Sequence, residues 1–344
     1  MFMDNGNFRP DKASSSWEMT RLIWGAIPVQ AISVTARLGI ADLVADGPKT
    51  SDELASRTQT DSVALRRLLR TLTSLTIFAE DAAGRFLNTP LSETLRFDHP
   101  ESVRALAILW GASFFWKPWG ELSTAIASGQ PAFDRIYQES FFEYLAHHSD
   151  DAAIFNAAMT AVSAVDLSAV LAVYDFSRFA RIVDVGGGHG ALLNGILSAY
   201  PELQGVLYDL PAVIADAAEL RTEPLVGRCE VLGGNFFEAV PVGADAYILK
   251  RVIHDWNDES ALKILRNCRR AISRHGTLLL IEWVLKPPNE PDLGKFTDLN
   301  MLVLLGGRER TEADFRALLR EADFSLARVI PTVGPHSIIE SKPL

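Results

Sequence analysis

Hydrophobic and polar positions along the chain follow two regimes that meet near residue 178. In the first, apolar residues recur at helical spacing. Leu22, Ile23, Ala26, Ile27, Ala31, Val34 and Leu38 predict a helix over 17–38 that Pro28 either kinks or restarts. Beyond a Gly47-Pro48 turn, Thr50 and Glu53 stand at capping-box spacing before another helix. Val63, Leu65, Leu68, Leu69 and Leu72 predict the next one, and Ile77-Phe78 and Phe86-Leu87 flank a polar turn. Helix, turn, helix and short hairpin is the order of a winged helix. Residues 101–177 read as mostly helical and are dense in aromatic side chains, some of them core and some available to a flat, apolar ligand.

From Phe179 onward, short apolar runs alternate with helix-length segments. Ile182–Val185, Val206–Tyr208, Cys229–Leu232, Ala246–Leu249 and Leu278–Ile281 read as strands. Segments at Ala191–Ala199, Ala212–Ala218 and Ser260–Ile272 read as helices between them. This predicts an α/β fold with a parallel sheet and crossover helices. Ligands in such folds bind outside the carboxyl ends of the strands, where Gly186, Asp209, Asn235 and Lys250 fall. The predicted divisions are a flexible N-terminus over 1–15, a winged-helix-like region over 16–100, a helical linking region over 101–177 and the α/β domain over 178–344.

With 344 residues, 48% apolar and 22% charged, the chain is an ordinary folded protein. Its net charge of -10 argues against nucleic acid and anionic membrane surfaces. Acidic and basic residues nearly balance over the first hundred, which weakens a DNA-reading role for the winged helix. No apolar core follows the start through Asp4, Arg9, Asp11 and Lys12, and runs such as Leu278–Leu285 are too short to span a bilayer. Cys229 and Cys268 allow one disulfide, but a reducing, cytoplasmic setting is the simpler expectation.

The chemistry concentrates where a strand-like run enters Gly186-Gly187-Gly188-His189-Gly190, with Asp209 closing the next strand. Glycines permit tight turning and close backbone approach, and a later carboxylate can accept from two ribose hydroxyls. Such a turn also serves as a bare strand-to-helix connection. His254 follows the Ala246–Leu249 run at the open end of the sheet. An unperturbed pKa near 6.5 suits histidine to general-base work.

Taken together, Asp184-Val185-Gly186-Gly187-Gly188-His189-Gly190, Asp209-Leu210-Pro211, His254-Asp255-Trp256 and Gly306-Gly307-Arg308-Glu309-Arg310-Thr311 resemble the S-adenosylmethionine-dependent O-methyltransferases. The similarity is to the branch shared by plant caffeate and flavonoid enzymes and bacterial enzymes acting on aromatic natural products. The resemblance implies a C-terminal Rossmann-like catalytic domain, an N-terminal winged-helix-like dimerisation domain and a homodimer. It also implies an aromatic small-molecule acceptor, no nucleic-acid or membrane partner and no metal. By position, the turn with Asp184, Gly186 and Gly188 wraps the methionine part of S-adenosyl-L-methionine. Asp209 and Leu210 meet the ribose, Phe236 packs on adenine, and Lys250 lies at the cofactor end of its strand. The family commonly has an acidic residue where this chain has Asn235, whose carbonyl can still accept from the adenine amino group. His254 maps to the base, with Glu282 and Glu309 as its flanking carboxylates. Glu309 has another reading as an exposed pair with Arg308 or Arg310. Trp110, Phe114, Met159, Asp255, Asn300 and Met301 are the expected acceptor-side positions, Asp255 serving as a supporting group or helix cap. Rival readings are a non-methylating hydroxylase or decarboxylase of the same fold, and a DNA-binding regulator.

Overall fold

The computed structural model describes residues 15–215, 217–222 and 225–344. The predicted flexible segment lies outside them except for Ser15, which opens the first helix. The chain forms two compact units, one ending at Trp116 and one running from Lys117 to Leu344.

In the first unit the predicted long helix divides into Ser15–Ile23 and Ala26–Arg37. The break falls at Trp24-Gly25 rather than at Pro28. Pro28 is the third residue of the second helix, within the first turn, where an N–H has no intrahelical acceptor to lose. Thr50 and Glu53 make the expected capping box, at 3.2 and 2.7 Å, and start helix Ser51–Thr58. Helix Ser62–Thr73 buries Leu65, Leu69 and Leu72, whereas Val63 faces outward. Strands β1 (Phe78–Glu80) and β2 (Phe86–Asn88) pair antiparallel and complete the winged-helix order. The unit continues past residue 100 because helix Arg104–Trp110 packs along Ala26–Arg37. The approach is close: a Cβ on Gly111 would lie 2.1 Å from Ser33 Oγ.

The second unit carries a seven-stranded sheet. Its strands are β3 (Arg181–Val185), β4 (Gln204–Asp209), β5 (Cys229–Gly233), β6 (Ala246–Lys250), β7 (Thr277–Glu282), β8 (Phe324–Pro331) and β9 (Ser337–Pro343), in spatial order β5-β4-β3-β6-β7-β9-β8. The five predicted strands are all present and parallel. β9 runs antiparallel to β7 and β8. Strand order reverses between β3 and β6, so the crevice for a ligand opens above Val185 and Lys250.

The sequence pattern did not predict β8 and β9. β9 buries Glu340 and Ser341 beside Ile338 and Ile339, so its polar residues hide a strand that sheet pairing enforces. Helix Ala212–Ala218 is also replaced. A short Pro211–Ile214 turn is followed by a 3-10 turn at Ala218–Arg221, and Arg221 donates to the carbonyls of Ile214 and Ala215 that a longer helix would have used.

Helix Ser149–Leu171 is long and apolar enough, by length and composition, to cross a membrane. Here it packs on helix Ala191–Ala199, where a Cβ on Gly195 would meet Leu167 at 2.0 Å, and it carries the buried Asp166. Both cysteines are free thiols.

Candidate active site

The glycine turn leaves β3 with Gly186, Gly188 and Gly190 at φ 71°, 61° and 82°, a region where a side chain would strain the backbone. The Gly186 and Gly187 positions are also crowded, a Cβ there meeting Val252 at 2.8 Å and the Asp184 carboxylate at 2.6 Å. Nothing lies within 4 Å of a Cβ placed on Gly188, so the turn presents bare backbone to open space. The Gly188 N–H donates to Asp209 Oδ2 (2.8 Å), and the Leu210 N–H donates to Asp209 Oδ1 (2.6 Å). Burial raises the Asp209 carboxyl against these two bonds.

Asp184 is buried with both carboxylate oxygens unpartnered. Burial pushes it up to about 7, while Lys250 pulls it down. Phe236 comes within 3.5 Å of the Gly186 Cβ position, and its ring meets Phe237 and Trp256 edge-on. Asn235 Oδ1 accepts from the Phe237 N–H at 2.9 Å, leaving one lone pair for another donor.

Three buried ionisable groups, His254, Glu282 and Glu309, meet above β6 and β7 with the half-buried Asp255 beside them. His254 Nδ1 lies 2.7 Å from Glu309 Oε1 and 4.0 Å from Glu282 Oε2, while Nε2 is 3.3 Å from Asp255 Oδ1. The sequence places these residues far apart, and three devices bring them together. Glu282, the last residue of β7, accepts from the N–H groups of Val252 and Ile253 and so pins the turn that delivers His254. Arg308 N–H donates to the His254 carbonyl, an approach that requires Gly307, whose Cβ would stand 2.1 Å from that oxygen. Asp298 accepts from the Glu309 N–H.

Burial alone would pull the His254 imidazole down. Glu309, Glu282 and Asp255 outweigh it and hold His254 up at about 9. Burial lifts Glu282 to about 7 and Asp255 to about 6. With carboxylates facing both ring nitrogens, the resting cluster suits an imidazolium. His254, Glu282 and Glu309 also offer ligand-type atoms within 4.8 Å of one another, but the 2.7 Å His254–Glu309 contact is a hydrogen bond, not a gap for an ion.

Two local readings are corrected. Glu309 is 2% exposed and faces His254, so it is not an exposed partner of its neighbouring arginines. Arg308 bridges to Asp258 and Asp314 instead. Helix Asp258–Ala271 is capped by Asn257, whose Oδ1 accepts from the Ser260 N–H, and not by Asp255.

Asn300 and Met301 are buried on helix Gly294–Leu304, and Asn300 Oδ1 lacks a partner. Met159 takes a contact of 3.4 Å from Arg251 Nη1 to its sulfur. Arg251, at φ 54°, turns the chain between Lys250 and His254. Phe142 stacks on Trp256 at 5.7 Å, giving this region an aromatic wall. Trp110 and Phe114 lie in the first unit, each in edge contact with Phe115.

Sequence reasoning missed Arg310, which is fully buried. It donates to the carbonyls of Ile253 and Trp256 and pairs with Asp258 at 2.6 Å, stapling the segment that bears His254. It also missed Asp166 and His336, which meet at 2.9 Å near Lys250. Their distance along the chain left no local signal.

Comparison with known proteins agrees with this arrangement. Residues 119–325 match the O-methyltransferase domain family, and residues 20–96 match the O-methyltransferase dimerisation domain. The phenazine O-methyltransferase PhzM of Lysobacter antibioticus is 42% identical over 327 residues, covering 95% of this chain and 96% of that protein. The crystal structure of LaPhzM is similar at a TM-score of 0.92 and 41% identity, covering 96% of this chain and 100% of that one. The O-methyltransferase NcsB1 of neocarzinostatin biosynthesis, solved with S-adenosylmethionine and 2-hydroxy-5-methyl naphthoic acid, is 34% identical at a TM-score of 0.82, covering 94% of this chain and 98% of that one. With glycine turn, strand-end carboxylate and buried histidine at the open end of one sheet, the chain belongs to the S-adenosylmethionine-dependent O-methyltransferases, in their bacterial natural-product branch.

Proposed function

We propose that this enzyme methylates a hydroxyl of an aromatic small molecule, with His254 as the base that takes the hydroxyl proton. The observation that carries this reading is the 2.7 Å bond between His254 Nδ1 and Glu309 at the open end of the sheet. It places the imidazole proton on Nδ1 and leaves the Nε2 lone pair for the acceptor. A phenol, with a pKa near 10, is ionised in only about one molecule in a thousand at neutral pH, a deficit of roughly 4 kcal/mol. Once neutral, an imidazole held at about 9 lies within about one pKa unit of that phenol, so the proton transfer itself has little gap, while at pH 7 freeing the ring of its own proton costs about 3 kcal/mol. Asp255 Oδ1, 3.3 Å from Nε2, accepts from that nitrogen once it has taken the hydroxyl proton and so stabilises the imidazolium. Asn300, Met301, Met159 and the Phe142–Trp256 stack orient the ring, which matters because a displacement of about an ångström lowers rate about a hundredfold.

When bound, S-adenosylmethionine supplies a methyl group on a positively charged sulfur. The residues present fit it. Each Asp209 oxygen already holds one backbone N–H and keeps a lone pair for a ribose hydroxyl. The unpartnered Asp184 oxygens, close against Gly187, suit a cationic amine. Phe236 supplies an apolar face for adenine, Asn235 a carbonyl acceptor and Lys250 a cation at the end of β6. Exposed Leu22, Ile23, Trp24 and Ile27 on the first two helices, with the dimerisation-domain match, support a homodimer.

The direct test is to incubate the purified enzyme with S-adenosylmethionine labelled on the methyl group and a panel of phenols, following label and product mass. Transfer to a hydroxyl is expected; transfer to nitrogen or carbon alone, or none, would overturn the proposal. In parallel, Asp209→Ala is expected to raise the dissociation constant for S-adenosylmethionine by about tenfold or more in calorimetry. An unchanged constant removes Asp209 from the cofactor site.

A further inference from the structure

A second buried cluster of ionisable groups lies outside the base site. Asp166 on helix Ser149–Leu171, His336 just before β9 and Lys250 at the end of β6 come from three distant parts of the chain. His336 Nδ1 is 2.9 Å from Asp166 Oδ1, and Lys250 Nζ is 3.6 Å from Asp166 Oδ2. Asp166 is 3% exposed and His336 4%. His336 is also held edge-on by Trp283 at 5.3 Å. The methyl-transfer chemistry described above gives Asp166 and His336 no task, yet buried charges are costly unless paired and hydrogen-bonded.

The geometry of Lys250 supplies the task. An ammonium on a flexible four-carbon stem ordinarily reaches for water. Here it is buried at the topological switch point, and Asp166 is its only carboxylate at ion-pair distance among the described residues. We infer that Asp166 and His336 are positioning residues for cofactor binding. The His336 Nδ1–H orients the Asp166 carboxylate, which holds the Lys250 ammonium at the end of β6 for a hydrogen-bond acceptor of the cofactor.

The electrostatics agree. Burial and Arg251 pull Lys250 down to about 8, while Asp166 and Asp184 oppose them. Burial pushes the Asp166 carboxyl up, but His336, Lys250 and Arg251 outweigh it and leave it below its usual value. Burial keeps His336 low, against Asp166, and its buried Nε2 has no partner, as a neutral ring donating through Nδ1 requires. Arg251, Asp166 and Asp184 are therefore the charges that set the state of Lys250, with His336 a neutral titratable neighbour that acts through Asp166. Losing the Asp166 charge lowers the Lys250 pKa further, so the ammonium is lost at a lower pH.

This inference rests on the reading that Lys250 faces the cofactor, so Lys250→Ala serves as a separate arm. S-adenosylmethionine affinity is measured calorimetrically from pH 6.5 to 9 for the wild type and for Asp166→Asn, His336→Leu and Lys250→Ala. Asp166→Asn is expected to weaken binding roughly tenfold at pH 8 and to begin losing affinity at lower pH than the wild type. Its KM for S-adenosylmethionine rises while kcat at saturation stays within about twofold, and Asp166→Glu restores part of the affinity. His336→Leu, which keeps the carboxylate, shifts affinity in the same direction and carries the test if Asp166→Asn does not fold. Wild-type affinity and pH dependence in the folded variants, beside a weakened Lys250→Ala, would overturn the inference. Wild-type affinity in Lys250→Ala would instead overturn the underlying reading of Lys250.

Discussion

Replacing His254 with glutamine is expected to lower kcat by about 10²- to 10⁴-fold while S-adenosylmethionine binding stays within about twofold. Glutamine fills the space and can still donate to Glu309, but it accepts no proton at any working pH. The split between rate and binding follows from the site. His254 and its carboxylate partners form a cluster of their own, whereas the groups proposed for the cofactor stand on the glycine turn, at the ends of β4 and β6 and just after β5. Alanine is the poorer probe. It would leave Glu309, Glu282 and Asp255 buried without their cation, and each uncompensated polar group costs about 1–3 kcal/mol. A drop in melting temperature would then mix with the loss of rate. Single-turnover methyl transfer and calorimetric titration of the same preparation separate the two. Wild-type kcat in the glutamine variant would exclude His254 as the base.

Glu309→Gln is expected to change the pH–rate profile as well as its height. Against the downward pull of burial, Glu309 is the foremost group holding His254 up at about 9. In the wild type the imidazole is charged in about 99 of 100 molecules at pH 7, so kcat/KM climbs with pH and levels off near 9. Without the Glu309 charge the His254 pKa falls, so the rising limb moves to lower pH. The plateau falls too, by about a hundredfold, because the base is weaker and Nδ1 has lost the carboxylate that fixed its tautomer. At neutral pH the larger neutral fraction offsets part of the loss. A profile with its limb unmoved would show that Glu309 does not set the base. Because His254, Glu282 and Asp255 are coupled neighbours, the limb reports the cluster and not a single residue.

The strand-and-helix alternation after Phe179 was legible because parallel strands buried on both faces read as continuous apolar runs, as β6 and β7 do. The glycine turn was legible for a different reason, since its glycines answer local demands: positive φ at Gly186 and Gly188, and side chains crowding Gly186 and Gly187. Capping at Thr50 is equally local. Where polar residues are buried through long-range pairing, the pattern was silent: β9 carries Glu340 between Arg178 and Arg328. Glu309 shows the limit within the site. The resemblance marks it as a carboxylate beside the base, but its two arginine neighbours equally allow a surface ion pair, and only the packing of Gly307 against the His254 carbonyl and the bond to His254 decide between them.

The sequence by itself determined the five parallel strands, the turn that opens the ligand crevice, and the residue types able to bind a nucleoside and take a proton, because these depend on periodicity and local sterics. The tertiary structure decided the state of those groups. Burial lifts Asp184 and Glu282, three carboxylates lift His254, and Asp166 with His336 surrounds Lys250. Proton affinity is set by desolvation and by charges within a few ångströms, and those neighbours come from segments as far apart as residues 166 and 336.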